Sequence, residues 1–257
     1  MSSESVFSQT PIKTLTFNTQ NAKKPELIDW DGNGTKNKNI ATIITNSGAD
    51  IIALQECTDS GVVADIKGRM TEKDSFSVIE YDNVGPALIY NNKKFTCDTY
   101  GYWTLGTVGD GSGTNYDRFA VYAKLKRVED GAIILAVATH FDTSFAVADG
   151  QAQKLLGFIS ENFNGISRVI IMGDYNVPSA DSNLVHQSLK NAGYADTESL
   201  ATTKTNADEY THSSDTNGNR VLDYIYSKGF KVSKYEVILN NNNPSDHRPV
   251  FAEIYIG

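Results

Sequence analysis

Ser245-Asp246-His247-Arg248-Pro249-Val250 places an acid beside a histidine on a turn, and the apolar segment 250–254 follows at once. A turn of this kind brings two reactive side chains to the mouth of a sheet, where loops gather functional residues. Ser-Asp-His also occurs in ordinary solvated turns, so the motif gains meaning only from the rest of the chain. Other short polar clusters end predicted strands in the same way.

Segments rich in Val, Ile, Tyr and Phe recur along the chain with turn residues between them, which indicates β-strands. The predicted strands are 12–19, 50–56, 76–81, 87–90, 95–104, 118–126, 132–140, 168–174, 222–227, 231–239 and 249–255. Apolar faces of period 3.6 predict helices over 36–47, 59–70 and 145–163, and a fourth over 181–192 begins with Asp181 as its N-cap. Many strands with few helices predict an α+β fold in which two sheets pack face to face with helices outside.

The composition is that of one globular domain. The chain has 257 residues, 40% of them hydrophobic, and no repeat or linker divides it, so we predict a single domain over 1–257 with residues 1–11 as a flexible tail. No apolar run reaches the roughly 18 residues of a membrane span, and the first residues lack the features of a signal peptide. We expect a soluble monomer, and the compartment stays open between cytoplasmic and secreted with a leader removed.

The net charge of −8 and a pI near 5.0 argue against tight electrostatic capture of a polyanion. Charge alone does not exclude nucleic acid, since a metal ion among carboxylates reverses the local sign. Cys57 and Cys97 show neither metal-ligand spacing nor a disulfide framework, so we expect packing residues.

Two early strands end in polar side chains. The segment 15–18 closes on Asn18, and the unbroken apolar run 51–54 leads to Gln55 and Glu56. The alternative interpretation is that Glu56 has no catalytic role and only caps the end of the strand or exposes it to solvent. The strand 137–139 leads to His140, which Phe141 and Asp142 follow, although a histidine buried in the core is the usual alternative there.

The later strands carry acids. Val169 to Asn176 brings Asp174 and Asn176 two residues apart, so both can point to one side of an extended segment, and Gly173 is expected to permit a tight turn. Asp223 lies inside an apolar strand, where an unpaired charge costs several kcal/mol. It needs a partner, and His247 is the candidate.

These acids and amides come without a thiolate ligand, which favours Mg²⁺ or Mn²⁺ over structural zinc. The chain has no Gly-x-Ser-x-Gly nucleophile motif and no glycine-rich phosphate loop before a helix. Attack of water on a phosphorus centre remains, with a metal ion on the phosphate, an acid on the water and a histidine held by an acid.

The ordered series TFN, LQE, THFD, GDYN, LDYIY and SDHRPV resembles the endonuclease/exonuclease/phosphatase superfamily over residues 14–255. This group contains deoxyribonuclease I, abasic-site endonucleases, sphingomyelinases, inositol phosphatases and tyrosyl-DNA phosphodiesterases. The resemblance implies a deoxyribonuclease I-like four-layer sandwich, in which two packed mixed β-sheets are flanked by helices. It also implies that Glu56 is the principal metal ligand, with Asn18 and Asp246 assisting, and that Asn18 lies at the substrate.

The same resemblance implies roles around the phosphate. Asp174 would orient or activate the water, and Asn176 would bind the scissile phosphate. His247, oriented by Asp223, and His140 would face the phosphate. Arg118 matches an arginine that opens the corresponding strand in relatives and binds substrate, although a plain surface arginine is an equal alternative.

Departures from the pattern bear on the substrate. Arginines that meet DNA in deoxyribonuclease I are replaced in the matching stretches, which contain Gln20 and Thr58. The acid that partners the first histidine in that enzyme would fall near residues 83–86, where no Glu is present. We therefore expect a metal-dependent phosphodiesterase or nuclease acting on nucleic acid or nucleotide-like esters. The alternatives are a phosphatase or phospholipase-type enzyme acting on sugar, inositol or lipid head groups and, last, a non-catalytic binding module.

One further motif suggests a structural calcium ion. Asp29, Asp31, Asn33 and Gly34 stand at calcium-loop positions, but Ile40 occupies the place of the bidentate acid. A polar turn is the competing interpretation.

Overall fold

The computed structural model describes residues 10–24, 32–178, 183–216, 218–240 and 244–257, which form two mixed β-sheets with helices outside. The strands are β1 Ile12–Asn18, β2 Ile51–Cys57, β3 Phe76–Ile79, β4 Gly85–Asn91, β5 Phe95–Gly106, β6 Arg118–Arg127, β7 Ile133–His140, β8 Val169–Asp174, β9 Ala195–Asp196, β10 Thr203–Thr205, β11 Asp223–Lys228, β12 Phe230–Val237 and β13 Val250–Ile256. The α-helices are α1 Asn33–Ser47, α2 Val62–Gly68, α3 Phe145–Asn162, α4 Leu184–Asn191 and α5 Thr197–Leu200.

Each sheet contains a central strand with one parallel and one antiparallel neighbour. The first has the order β10-β12-β13-β1-β2-β4-β3, and the second has the order β5-β6-β7-β8-β11-β9. In the first sheet β1 runs parallel to β2 and antiparallel to β13. In the second, β8 runs parallel to β7 and antiparallel to β11. The strands that end in the predicted site residues are therefore central in both sheets.

Three apolar cores separate four layers. Ile51 and Val250 of the first sheet meet Ile134 and Ile170 of the second in the middle core. Helices α1 and α2 cover the outer face of the first sheet, and α3 and α4 cover that of the second. The alternation of strand residues between an inner and an outer core explains why the strands read as near-continuous apolar runs. The predicted α+β four-layer sandwich is confirmed.

The differences from the predicted elements are local. Helix α4 begins at Leu184 and is capped by Asn183, whose side chain accepts from the Val185 amide, whereas the predicted cap Asp181 lies outside the described residues. The short elements β9, α5 and β10 were not predicted, because two to four residues carry no periodic signal.

Some predictions stay untested. The assignment of 1–257 to one domain remains a prediction, and most of the expected tail, 1–9, lies outside the described residues. So do Asp29 and Asp31 of the calcium motif. No helix in the described part of the chain is long and apolar enough to cross a membrane. Cys57 and Cys97 are both free thiols.

Candidate active site

The ends of central strands from both sheets converge on one cavity of about 500 Å³. Strand register explains this convergence, because His140 pairs with Asp174 across β7 and β8, and Asp174 pairs with Asp223 across β8 and β11. The predicted site residues that line the cavity are Glu56, Arg118, His140, Asp174, Asn176, Asp246 and His247. Asn18 and Asp223 are fully buried behind it.

Glu56 reaches the cavity through a distortion of β2. The pairing of β2 with β4 shifts register between Leu54 and Cys57, and Glu56 has a φ of 61°. A bulge redirects a side chain, and left-handed backbone at a non-glycine residue costs of order 1–3 kcal/mol. The strained backbone thus aims the carboxylate into the cavity.

Asn18 joins the two acids on either side of the interface between the sheets. Its Nδ2 donates to Glu56 Oε1 at 3.0 Å and to Asp174 Oδ2 at 2.9 Å. Its Oδ1 accepts from the Gln20 amide at 2.9 Å. In this orientation Oδ1, the atom that would bind an ion, accepts one hydrogen bond from the backbone and keeps a second lone pair, so Asn18 as a metal ligand stays a prediction.

Asp174 lies at the centre of the site. Its Oδ1 accepts from the Asn176 amide at 2.8 Å, and Oδ2 lies 3.4 Å from His140 Nε2 and 3.6 Å from His247 Nε2. Burial raises the pKa of Asp174 above its ordinary value, and His247 opposes that rise. A carboxylate with a raised pKa is better matched to taking a proton near neutral pH.

Gly173 serves the site in a way that differs from the expected tight turn. A Cβ at this position would lie 2.0 Å from the Thr139 carbonyl oxygen, so glycine permits β7 and β8 to approach closely. The turn is made instead at Asn176, whose φ is 54°. Asn176 Nδ2 donates to the Phe141 carbonyl at 2.9 Å and contacts His140 Nε2 at 3.0 Å.

His247 has the partner that the sequence predicted. Its Nδ1 lies 2.8 Å from Asp223 Oδ2, and both residues are buried. Burial alone would lower the pKa of His247, but Asp223 and then Asp174 outweigh it and raise the pKa to about 10. His140 differs, because burial and the nearby cations Arg118 and His247 hold its pKa well below the ordinary value. One histidine is therefore cationic and the other neutral at pH 7.

Arg118 opens β6 at the cavity wall. It is 9% exposed, and its Nε is buried without a hydrogen-bond partner among the described residues. Its guanidinium lies 5.3 Å from the ring centroid of Tyr116, which is 62% exposed and also lines the cavity. An unsatisfied buried donor beside a cavity suits an anionic ligand.

A second cavity of about 590 Å³ adjoins the first. His212 and Asp246 line both cavities. The wall of the second is mostly polar and contains Gln20, Ser213, Ser214, Asn240 and Arg248. We call the first the aromatic cavity, because Tyr116 and Phe119 line it, and the second the polar cavity.

His212 and Asp142 were not recognised from the sequence. The ring of His212 lies 4.6 Å from that of His247, but no strand pattern surrounds it, so only the isolated bridges to Arg220 and His247 place it. Asp142 is fully buried and accepts from Thr114, Asn115 and Ser144. It fixes the loop before Arg118. Its place in THFD, beside His140, was the available signal.

The donor set fits a hard divalent ion. Glu56 and Asp246 both line the aromatic cavity. Burial lowers the pKa of Lys36, and the negative charges of Asp246 and Glu56 oppose that lowering. Asp246 is held by its amide, which donates to Gln20 Oε1 at 3.2 Å. Carboxylate oxygens that face one cavity are ligands of the kind that Mg²⁺ and Mn²⁺ prefer.

Comparison with known proteins agrees with this geometry. The model of the Endonuclease/Exonuclease/phosphatase family matches residues 15–247. No curated protein was found to match. Similar solved structures include an endonuclease/exonuclease/phosphatase family protein from Bacteroides thetaiotaomicron, with TM-score 0.81, 21% identity and 96% of each chain covered. A mannosyl-6-phosphatase from the same organism has TM-score 0.80 and 20% identity over 95% of this chain and 100% of that one. D. rerio TDP2 with a single-strand DNA product has TM-score 0.71 and 13% identity over 96% and 100%.

Proposed function

Because the chain belongs to the endonuclease/exonuclease/phosphatase family, we propose that it is a divalent-metal-dependent phosphodiesterase that acts on small or single-stranded phosphodiesters, including nucleotide-like esters. The observation that carries this proposal is the pair of cavities that adjoin at His212 and Asp246. A diester has a substituent on each side of phosphorus, and two adjoining cavities offer a place for each. A monoester needs only one.

The residues divide the chemical work. Glu56 and Asp246 would hold Mg²⁺ or Mn²⁺. Asn18, whose Nδ2 donates to both Glu56 and Asp174, fixes the positions of these two carboxylates relative to each other. The ion, when bound, neutralises phosphate charge and lowers the pKa of water. Asp174 orients the attacking water and accepts its proton.

Other residues bind the phosphate. Asn176 and His140 lie side by side and bind its oxygens, and Arg118 adds a cation from β6. His247, held as an imidazolium by Asp223, offsets the charge that grows on the pentacoordinate state. Such preorganised donors contribute about 10²- to 10³-fold each in characterised enzymes.

The cavity walls support small or single-stranded substrates over duplex DNA. Among the described residues that line the two cavities, the Arg and Lys side chains are Arg118 and Arg248, and Arg248 is paired with Glu209 at 2.6 Å. Duplex binding needs several phosphate contacts from cations. The exposed ring of Tyr116 offers a stacking surface for an unpaired base, an interaction worth about 1–3 kcal/mol.

A phosphatase of sugar or other head groups is the second candidate. The polar cavity favours it, because Ser213, Ser214 and Asn240 present hydroxyl and amide groups suited to a polyol. The similar fold of a mannosyl-6-phosphatase is compatible with it. This candidate predicts that monoesters are the better substrates.

A comparison of substrates distinguishes the phosphodiesterase from the phosphatase. We would measure kcat/KM with Mg²⁺ and with Mn²⁺ on bis-p-nitrophenyl phosphate, p-nitrophenyl phosphate, mannose 6-phosphate, a short single strand and supercoiled plasmid. The matched control is Asp174→Asn purified in parallel, which exposes contaminating nucleases. We expect the diester and the single strand to exceed the monoesters and the plasmid. Faster hydrolysis of mannose 6-phosphate would favour the phosphatase, and rapid, salt-sensitive nicking of plasmid would reveal a basic surface outside the cavities.

A further inference from the structure

Backbone hydrogen bonds hold His212 between the two cavities. Its backbone amide donates to the Arg220 carbonyl at 2.9 Å, and its carbonyl accepts from the Arg220 amide at 2.9 Å. An isolated bridge also joins it to His247, and the next amide, of Ser213, donates to the Asp246 carbonyl at 2.9 Å. Backbone pairing with Arg220 on one side and with the segment of Asp246 and His247 on the other therefore fixes the position of His212.

Within the described part of the chain, neither ring nitrogen of His212 has a hydrogen-bond partner. Nδ1 is buried without a partner among the described residues, and Nε2 lies 3.8 Å from Asp246 Oδ2, beyond hydrogen-bond distance. A half-buried imidazole in this state leaves polar atoms unsatisfied, which costs free energy unless a ligand is present. The proposed hydrolysis assigns this ring no role.

Three ligand atoms meet at this point. One atom each from His212, Asp246 and His247 lie within 4.8 Å of one another, and Asp246 Oδ1 is 4.0 Å from His247 Nε2. Bonds of about 2.1 Å at a tetrahedral centre place ligand atoms about 3.4 Å apart. Small side-chain movements would bring the three into a coordination shell.

The surroundings orient the second imidazole toward the same point. His247 Nδ1 is engaged by Asp223 Oδ2 at 2.8 Å, so Nε2 faces the cluster. Metal-ligating histidines usually donate their other ring N–H to a carboxylate, which fixes the ring and strengthens the ligand. Asp174 Oδ2, 3.6 Å from His247 Nε2, adds negative charge on the same side.

We propose that His212, Asp246 and His247 form a second divalent-ion site that takes a nitrogen-preferring ion of the Co²⁺ or Zn²⁺ class. Two imidazoles and one carboxylate suit these ions better than Mg²⁺, which prefers oxygen ligands and near-ideal octahedral geometry. The cluster shares Asp246 with the proposed Mg²⁺ site but does not contain Glu56, so the two sites differ in their other ligands. A cation bound at Nε2 of His247 displaces the proton of the imidazolium and leaves positive charge at the same place. The proposal goes beyond the hydrolysis proposed above, because ion binding is measured without substrate.

Metal titration of the full chain tests the site. Chelator-treated protein is titrated with Co²⁺, followed by its visible absorption, and with Zn²⁺ and Mg²⁺ by calorimetry. His212→Phe keeps a ring against His247 but removes both nitrogens. Loss of even an outer-shell partner costs about 10- to 100-fold in affinity, so loss of the ligand itself should weaken Co²⁺ and Zn²⁺ at least as much. Mg²⁺ affinity should be unchanged.

Glu56→Gln is the matched control and should keep the Co²⁺ spectrum while weakening Mg²⁺. Circular dichroism checks that each variant is folded, and His212→Asn replaces His212→Phe if the latter is not. A Co²⁺ spectrum and affinity unaffected by loss of His212, or lost equally in Glu56→Gln, would overturn the proposal. If Co²⁺ binding depends on His212 but no phosphoester is hydrolysed with any ion, the proposed function fails and the ion site stands.

Discussion

Replacing Asp142 by Asn should loosen the wall of the aromatic cavity. Asp142 Oδ2 accepts from Thr114 Oγ1 at 2.9 Å and from the Asn115 amide at 2.8 Å. Oδ1 accepts from Asn115 Nδ2 at 3.1 Å and from the Ser144 amide at 2.9 Å. These bonds hold the pKa of Asp142 below its ordinary value although burial opposes them, so the group is ionised at pH 7.

The expected cost follows from the donors that lose their acceptor. In Asp142→Asn an NH₂ group replaces one carboxylate oxygen, so the two donors bonded to that oxygen lose their acceptor. Each unsatisfied buried donor costs about 1–3 kcal/mol. We expect the free energy of unfolding to fall by about 2–6 kcal/mol on this basis. The loop that ends at Arg118 also carries Tyr116, so KM should rise more than kcat falls.

Urea denaturation with an unchanged m-value, together with steady-state kinetics on a small diester, measures both effects. Asp149→Asn is the control, because the Asp149 carboxylate accepts only from the side chains of Gln153 and Ser188 among the described contacts. Its cost should stay within about 0.5 kcal/mol. If Asp142→Asn were as stable as wild type yet lost turnover, Asp142 would act in the chemistry and the structural argument would be wrong.

Three further outcomes are expected. Asp174→Asn should lower kcat by about 10²- to 10⁴-fold at saturating metal with little change in folding, and near-normal turnover would remove Asp174 as the water-activating acid. Chelation should abolish hydrolysis and Mg²⁺ or Mn²⁺ should restore it, whereas Glu56→Gln should need more metal; full activity after exhaustive EDTA treatment contradicts this. Because the folded pKa of His247 is raised to about 10, its stabilising contribution is complete below the unfolded value of 6.5 and is lost as pH rises toward 10. Chelated wild type should therefore lose about 1.4 kcal/mol per pH unit across this window relative to His247→Gln in urea denaturation, and parallel curves would refute the shift.

Sequence patterns were sufficient for the sandwich and for most of the cavity. Apolar strands buried on both faces produce continuous runs, and polar residues at their ends must lie where the strands end. Asp174 and His140 could be assigned to one site because each ends an apolar strand, and the parallel pairing of β7 with β8 explains why they meet. Asp223 could be paired with His247 because a buried acid needs a partner.

The remaining features depend on contacts that are distant in sequence. The bulge that turns Glu56 inward arises from register with β4, and the orientation of the Asn18 amide is decided by the Gln20 backbone. The role of Gly173 is set by Thr139 on the neighbouring strand. His212 belongs to no long element, and its bridges to Arg220 and His247 bring it to the cavity. No local pattern encodes these relations.

The charges around the aromatic cavity connect metal binding with substrate binding. Among the described residues that line it, four are acidic, namely Glu56, Asp117, Asp174 and Asp246, whereas two are cationic, Arg118 and His247. A phosphate entering this cavity would meet an excess of negative charge, and charges 4 Å apart interact by about 4 kcal/mol at an effective dielectric constant of 20. One divalent cation removes that excess. Ion binding should therefore precede phosphate binding, and the apparent affinity for a phosphoester should depend on the concentration of the ion even where the ester touches only protein.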